Sequence, residues 1–226
     1  MLQDATNQYI ATILANYPLV GKDVLEIGCG GGRITRDLAM HARRVLATDP
    51  DAGALAKAKA AVPAANVEFL QAPAGVPELP PRSFDLVIYT LSLHHVPLGE
   101  MTASLEKAGR LLRPGGVIMV LEPGEEGPFM EAKQRFGIGS GDESRQQAAA
   151  QRAMHELSGW TVGETIRFNT YFQFADEEDF FTSKVPGYQQ MPAEKLSAIR
   201  AFLRPYRKVE GIFLEAGRRL NLLRPA

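Results

Sequence analysis

The sequence predicts an α/β fold: a doubly wound, mostly parallel sheet with helices on both faces. Three observations carry this. Short apolar segments alternate with helical ones over the first 122 residues. The apolar segments are nearly continuous rather than alternating, as in strands buried on both faces. A glycine cluster, Gly28, Gly30, Gly31 and Gly32, follows the first strand directly and opens a helix. Right-handed crossovers follow from strand and helix chirality.

The elements come in order. Ile10, Ile13, Leu14 and Tyr17 fall at helical spacing, and Pro18 ends that helix. Val24–Ile27 is a short strand that stops at Gly28. Ile34 and Leu38 mark one face of the next helix. Val45–Thr48 is a second strand, closed by Asp49-Pro50. Ala52–Ala61 reads as helix, ended by Pro63. Val67–Leu70 and Asp85–Thr90 are the third and fourth strands. Met101, Leu105, Ala108 and Leu112 form one helical stripe. Arg113-Pro114-Gly115-Gly116 breaks that helix, and Val117–Leu121 is the fifth strand.

Beyond Glu122 the pattern changes. Pro123–Gly141 reads as loop with at most one short helix, and Asp142–Leu157 as helix. Ile166, Phe168, Phe172 and Phe174 alternate with Arg167, Asn169, Tyr171 and Gln173, which predicts a half-exposed strand. Ala193–Leu203 reads as helix and Arg219–Arg224 as a last strand. Charge marks no boundary: residues through Glu122 carry 11 basic and 12 acidic side chains, the rest 14 and 14. The expected organisation is a single domain over 1–226. Its cofactor-binding core is 1–122, a cap or insertion is 123–160, and a sheet extension is 161–226.

Composition excludes several classes. The chain has 226 residues, a formal net charge of −1 and one cysteine. One cysteine makes no internal disulfide and no thiolate metal site, so a reducing, cytoplasmic setting is expected. The longest charge-free stretch near the middle, Leu86–Gly99, is too short to span a bilayer. Met1–Asp4 has no basic region leading into an apolar run, so no secretory signal is expected. Near-neutral charge speaks against a nucleic-acid partner held by bulk electrostatics.

The glycine loop decides between ligands. A strand–glycine loop–helix unit puts backbone N–H groups and a helix N-terminus at the carboxyl edge of a sheet. The dinucleotide pattern G-x-G-x-x-G fails, because its last position is Arg33. The phosphate loop fails too, since no Lys-Ser or Lys-Thr follows. What remains is Glu26-Ile27-Gly28-Cys29-Gly30-Gly31-Gly32, with Asp49 ending the second strand. A carboxylate beside the loop repels a pyrophosphate and attracts a cation. A carboxylate at position 49 can accept hydrogen bonds from ribose hydroxyls.

Together these segments resemble the class I S-adenosylmethionine-dependent methyltransferases, most of all those that modify small molecules. Val24–Gly32 resembles the first motif, Asp49 the acidic end of strand two, and Phe84–Val96 the fourth-strand segment. Leu111–Gly116 resembles the turn before strand five. The resemblance implies seven strands in order 3-2-1-4-5-7-6, with strand seven antiparallel. The segment near Ile166 and Arg219–Arg224 then become strands six and seven. It implies S-adenosylmethionine as cofactor, held by Glu26, Gly28, Cys29, Gly30, Asp49, Pro50, Ala72, Pro73, Ala74 and Leu91. One departure stands out. The family often has Gly-Asp-Ala after strand three, whereas this chain has Ala72-Pro73-Ala74. Adenine contact then falls to the Ala74 N–H, to Gln71 or to apolar packing.

The remaining candidates have blander alternatives. Glu26 could be a solvated edge residue, and Asp49 a helix N-cap. Cys29 reads as packing, because no Pro-Cys follows strand four as a nucleophile would require. His95, and next His94, could serve as a general base or could simply pack at the junction. No Asn/Asp-Pro-Pro-aromatic motif follows strand four, which argues against amino methylation of DNA bases. No metal is expected, since adjacent His94 and His95 diverge on an extended strand. Arg200–Ala226 holds seven basic and two acidic residues, read as a solvated face rather than a polyanion surface. Phe129, Phe136, Trp160, Phe172, Phe174, Phe180, Phe181 and Tyr188 read mostly as core, and Gly137–Gly141 as a connector or lid hinge.

The expected activity is methyl transfer to a small-molecule acceptor by direct in-line displacement. The alternatives are an RNA- or protein-modifying methyltransferase, and a non-catalytic cofactor-binding partner subunit. A nicotinamide-dependent oxidoreductase is disfavoured by Arg33.

Overall fold

Periodicity sets most elements of the chain, which a computed structural model describes over all 226 residues. In chain order they are β1 (Leu2–Gln3), α1 (Gln8–Asn16), β2 (Asp23–Ile27), α2 (Arg33–Ala39), β3 (Arg44–Asp49) and α3 (Ala52–Ala61). Then come β4 (Val67–Gln71), β5 (Phe84–Thr90), α4 (Met101–Leu111), β6 (Leu112–Pro123), α5 (Pro128–Phe136) and α6 (Ser144–His155). The last are β7 (Trp160–Val162), β8 (Ile166–Phe174), α7 (Glu177–Lys184), α8 (Ala193–Leu203), β9 (Arg207–Lys208) and β10 (Gly211–Pro225). The chain clusters into two units. The larger holds Ile10–Glu122, Ser144–Ile166 and Arg219–Ala226; the smaller holds Met1–Tyr9, Pro123–Glu143 and Arg167–Arg218.

In the larger unit β4, β3, β2, β5 and β6 are hydrogen-bonded neighbours in that order, and β10 follows β6. The pairs β3–β4, β2–β3, β2–β5 and β5–β6 are all parallel. This is the expected order of strands three, two, one, four and five. Both faces are covered. Leu25, Ile27, Val87, Tyr89, Ile118 and Val120 join one core with Met101, Leu105 and Ala108 of α4 and Ala150, Ala153 and Met154 of α6. Their strand neighbours Val24, Leu86, Ile88, Val117 and Met119 point the other way and are just as buried. Near-continuous apolar strands are the price of that double burial.

The predicted break at Arg113–Gly116 lies inside β6. Phe84 pairs with Leu112 and Leu86 with Val117, so the intervening residues bulge out of the ladder. At the amino ends of the strands Arg113 bridges Asp23 and Asp85, and Arg43 also binds Asp23.

In the smaller unit β1 pairs antiparallel with β8, β8 lies beside β10, and β10 pairs antiparallel with β9. Its core gathers Phe129, Phe136, Phe172, Phe174, Phe180 and Phe181 with Ile199 and Leu203 of α8. Most aromatic residues of the second half are therefore core, as expected. Trp160 is the exception in place, packing in the larger unit over Gly109 of α4.

Three expectations need correction. There are ten strands rather than seven, the extra β1, β7 and β9 being two or three residues each. The last strand begins at Gly211 rather than Arg219. The basic C-terminal run is not one solvated face. Arg218 and Arg219 are buried, and Arg200 and Arg207 pair with Glu177.

Candidate functional site

The site sits at the carboxyl ends of β2, β3, β4 and β5, where β2 gives way to the glycine loop. Gly28 and Cys29 N–H both donate to the Thr48 carbonyl, at 2.8 and 2.9 Å. The loop is thereby pinned across the end of β3. Gly28 has φ +75°, and a Cβ there would lie 2.3 Å from Ser92 Cβ. Only glycine allows the loop to press against the residues after β5. Ser92 completes the lock, its hydroxyl donating to the Ile27 carbonyl.

Asp49 holds the loop from the side. Its Oδ2 accepts from Gly30 N–H at 2.8 Å and its Oδ1 from Asp51 N–H at 2.9 Å. Asp49 is therefore not the cap of α3. That role belongs to Asp51, whose Oδ1 accepts from Gly53 and Ala54 N–H.

Between these elements lies a cavity of about 320 Å³, within the range of small-molecule and cofactor sites. Gly28, Gly30, Asp49, Pro50, Pro73, Ala74, Leu91 and His95 line it, all expected from the sequence. Ile27, Thr48, Gly75 and Ser92 complete the wall. The first two are strand-end residues whose role only the loop's path reveals. A Cβ on Gly30 would meet nothing within 4 Å, so the main chain there faces open space. Leu91 is one of few non-glycine residues with positive φ, at 60°. Strained backbone in a cavity wall is typical of a ligand-shaped site.

Other expected residues lie behind this wall. Glu26 is fully buried; its carboxylate accepts from Thr35 Oγ1 at 2.6 Å and Thr90 Oγ1 at 2.9 Å. Burial pushes its carboxyl up to about 7, although both hydroxyls favour the charged form. Glu26 thus ties α2 and β5 together beneath the loop. Cys29 is buried, and desolvation first, then the Glu26 and Asp49 charges, raise its thiol far above the usual range. That matches a packing residue and not a thiolate nucleophile. Ala72 is buried and its N–H donates to the Asp49 carbonyl at 3.2 Å, outside the cavity lining.

His94 and His95 do not diverge. They sit on a 3₁₀ turn, Leu93–His95, and their rings lie 4.0 Å apart between centroids. Tight turning, with i and i+3 eclipsed, replaces the alternation of an extended strand. His94 is buried and its Nδ1 bonds Glu122, which also accepts from Leu93 N–H at 3.0 Å. His95 is exposed and lines the cavity. Glu122 was missed by sequence reading, being the last charged residue of a strand with no motif around it.

Known proteins share the fold that carries this site. A family described as a methyltransferase domain matches residues 24–116. That stretch runs from β2 through β5 and α4 and encloses every cavity-lining residue. An uncharacterized methyltransferase of Mycobacterium tuberculosis is 34% identical over 118 residues, covering 52% of this chain and 59% of that protein. A "probable S-adenosylmethionine-dependent methyltransferase" of the same organism is 35% identical over 102 residues, covering 45% and 36%. The chain thus spans under two thirds of the curated relatives it matches. A S-adenosylmethionine-dependent methyltransferase structure from Mesorhizobium loti superposes with a TM-score of 0.52 at 18% identity, covering 96% of this chain and 99% of that one. One from Aquifex aeolicus gives 0.56 at 15%, covering 93% and 88%. These likenesses are of fold, and they support the Rossmann-like methyltransferase architecture. The resemblance to class I S-adenosylmethionine-dependent methyltransferases read from the sequence holds.

Proposed function

We propose that the chain transfers a methyl group from S-adenosylmethionine to a small-molecule acceptor by direct in-line displacement. The observation that carries this reading is the cavity itself. Glycine main chain, the Asp49 carboxylate and the Pro73–Ala74 turn meet there at the carboxyl ends of parallel strands. The donor set fits the cofactor. Asp49 offers acceptor lone pairs to ribose hydroxyls, and Gly30 lets a ligand lie against the backbone. Pro50, Pro73, Ala74 and Leu91 supply apolar wall for the adenine, in keeping with the missing acidic residue after β4. Gly28, Cys29 and Ala72 shape and support the loop, and Glu26 anchors it from below.

When bound, the cofactor supplies a methyl group on a positively charged sulfur, already reactive. The chain's contribution is position. In this reading His95, exposed and lining the cavity, takes a proton from an acceptor hydroxyl or amine. His94 and Glu122 hold the turn that carries it. Four of the seven basic C-terminal residues, Arg200, Arg207, Arg218 and Arg219, are ion-paired or buried, which disfavours a continuous RNA-reading surface. We read residues 1–226 as one methyltransferase domain working in a reducing, cytoplasmic setting. No helix is long and apolar enough to cross a membrane.

Calorimetric titration tests the reading. S-adenosylhomocysteine should bind the full chain and NAD should not. Asp49→Ala should weaken S-adenosylhomocysteine binding at least tenfold. Binding of NAD with no binding of S-adenosylhomocysteine would sink the proposal.

A further inference from the structure

The two ends of the cavity differ in chemistry, and Asp49 stands between them. Its Oδ2 accepts from Gly30 N–H of the loop at 2.8 Å, while its carbonyl accepts from Ala72 N–H of the turn after β4 at 3.2 Å. Toward the loop the wall is polar, with Thr48, Ser92 and His95 beside bare glycine main chain. Away from the loop the wall is Pro50, Pro73, Ala74 and Gly75. No side chain among these four carries a polar atom, and the two prolines have no N–H to donate.

The apolar end is fixed in place. Register pairs Asp49 of β3 with Gln71 of β4, which brings Pro50 and the Ala72–Gly75 turn to neighbouring strand ends. Gln71 Nε2 donates to the Pro50 carbonyl at 3.1 Å and ties the two segments together. Gly75, at φ +98°, tucks the turn against α4, where a Cβ would lie 3.0 Å from Ser104 Oγ. On the loop side, the Thr48 and Ser92 hydroxyls donate to the Glu26 and Ile27 carbonyls. A flat ring laid at the far end therefore meets proline rings on preformed backbone. Its grip comes from shape and burial, not from side-chain hydrogen bonds.

We propose that this end holds the cofactor's base by shape and does not read its 6-amino group, and that Pro73 sets this tolerance. The inference rests on the reading of the cavity as an S-adenosylmethionine site with the ribose at Asp49. A site that pairs an amine rejects the analogue lacking it, because its own acceptor is left without a partner. An apolar wall leaves no acceptor stranded. Pro73 is exposed while it lines the cavity, so a carboxylate at that position stays hydrated and can accept from the amine.

The probes are S-adenosylhomocysteine and its 6-deamino analogue, in which purine replaces adenine. Each is titrated calorimetrically into the full chain. The wild type should bind the two within about fivefold of one another. Pro73→Asp should bind S-adenosylhomocysteine at least about tenfold more tightly than the analogue, through a hydrogen bond from the amine to the new carboxylate. Pro73→Ala should keep the wild-type ratio, which separates the carboxylate's effect from loss of the ring. Circular dichroism checks that each variant is folded; if Pro73→Asp is not, the wild-type ratio decides. Wild-type binding of the analogue more than about fivefold weaker overturns the inference and leaves the cofactor reading standing. A folded Pro73→Asp with no preference overturns the role given to Pro73. Binding of neither ligand sinks the cofactor reading, and the inference with it.

Discussion

Gly28 shows how one missing side chain builds a site. The loop can cross the end of β3 only because nothing at position 28 collides with Ser92. Gly28→Ala should destabilise the protein by about 2 kcal/mol or more, from positive φ and overpacking together. It should also abolish measurable S-adenosylhomocysteine binding. Urea denaturation and calorimetry check the two effects separately. Adding Ser92→Gly should recover part of the stability, because it removes the clash but leaves φ at +75°. Wild-type stability in the single variant would mean the loop does not press on the turn. Glu26 offers the complementary lesson. Its neighbours in sequence advertise a ligand contact, yet its oxygens are spent on Thr35 and Thr90. Sequence spacing finds the loop; it does not say which side of the loop a side chain faces.

At the scale of elements, two nearby carboxylates divide their work. Asp51 caps α3 and Asp49 holds the loop. Asp51→Ala should cost about 1 kcal/mol in chemical denaturation. It should leave S-adenosylhomocysteine affinity within about twofold, unlike Asp49→Ala. Equal loss of affinity in both would dissolve the distinction. The parallel half of the sheet was legible because double burial leaves unbroken apolar runs such as Val24–Ile27 and Val117–Leu121. The cavity wall was legible for the same reason: strand ends locate it. α7 was not, because Phe180 and Phe181 are adjacent and give no three-to-four-residue stripe; its signal is the Asp176 cap before an acidic turn. The early start of β10 was hidden by Glu215, Gly217 and Arg218, whose polar atoms find partners in the smaller unit. The histidine turn was misjudged as extended because a 3₁₀ segment of three residues has no periodicity to read.

For the whole molecule, pH sets opposing demands. Asp23 is held below the usual carboxylate range, first by its hydrogen bond from Arg43. It stabilises the fold above its unfolded value and loses that effect as pH falls through its lowered folded value. Glu26 works the other way. Its folded value of about 7 exceeds the ordinary 4.5. Its contribution is whole below pH 4.5 and is lost as pH rises through about 7, a swing of about 3 kcal/mol at most. Wild-type stability should therefore decline between these values, and Glu26→Gln should flatten that slope in urea titrations run from pH 4.5 to 8. An unchanged slope would show that Glu26 is ionised throughout. A last consequence concerns descent. The chain passes between its two units after residues 9, 122, 143, 166 and 218, with β10 shared by both. No single genetic exchange can replace the smaller unit as a block. Any transplant that moves the smaller unit whole has to cut the chain at all five crossings.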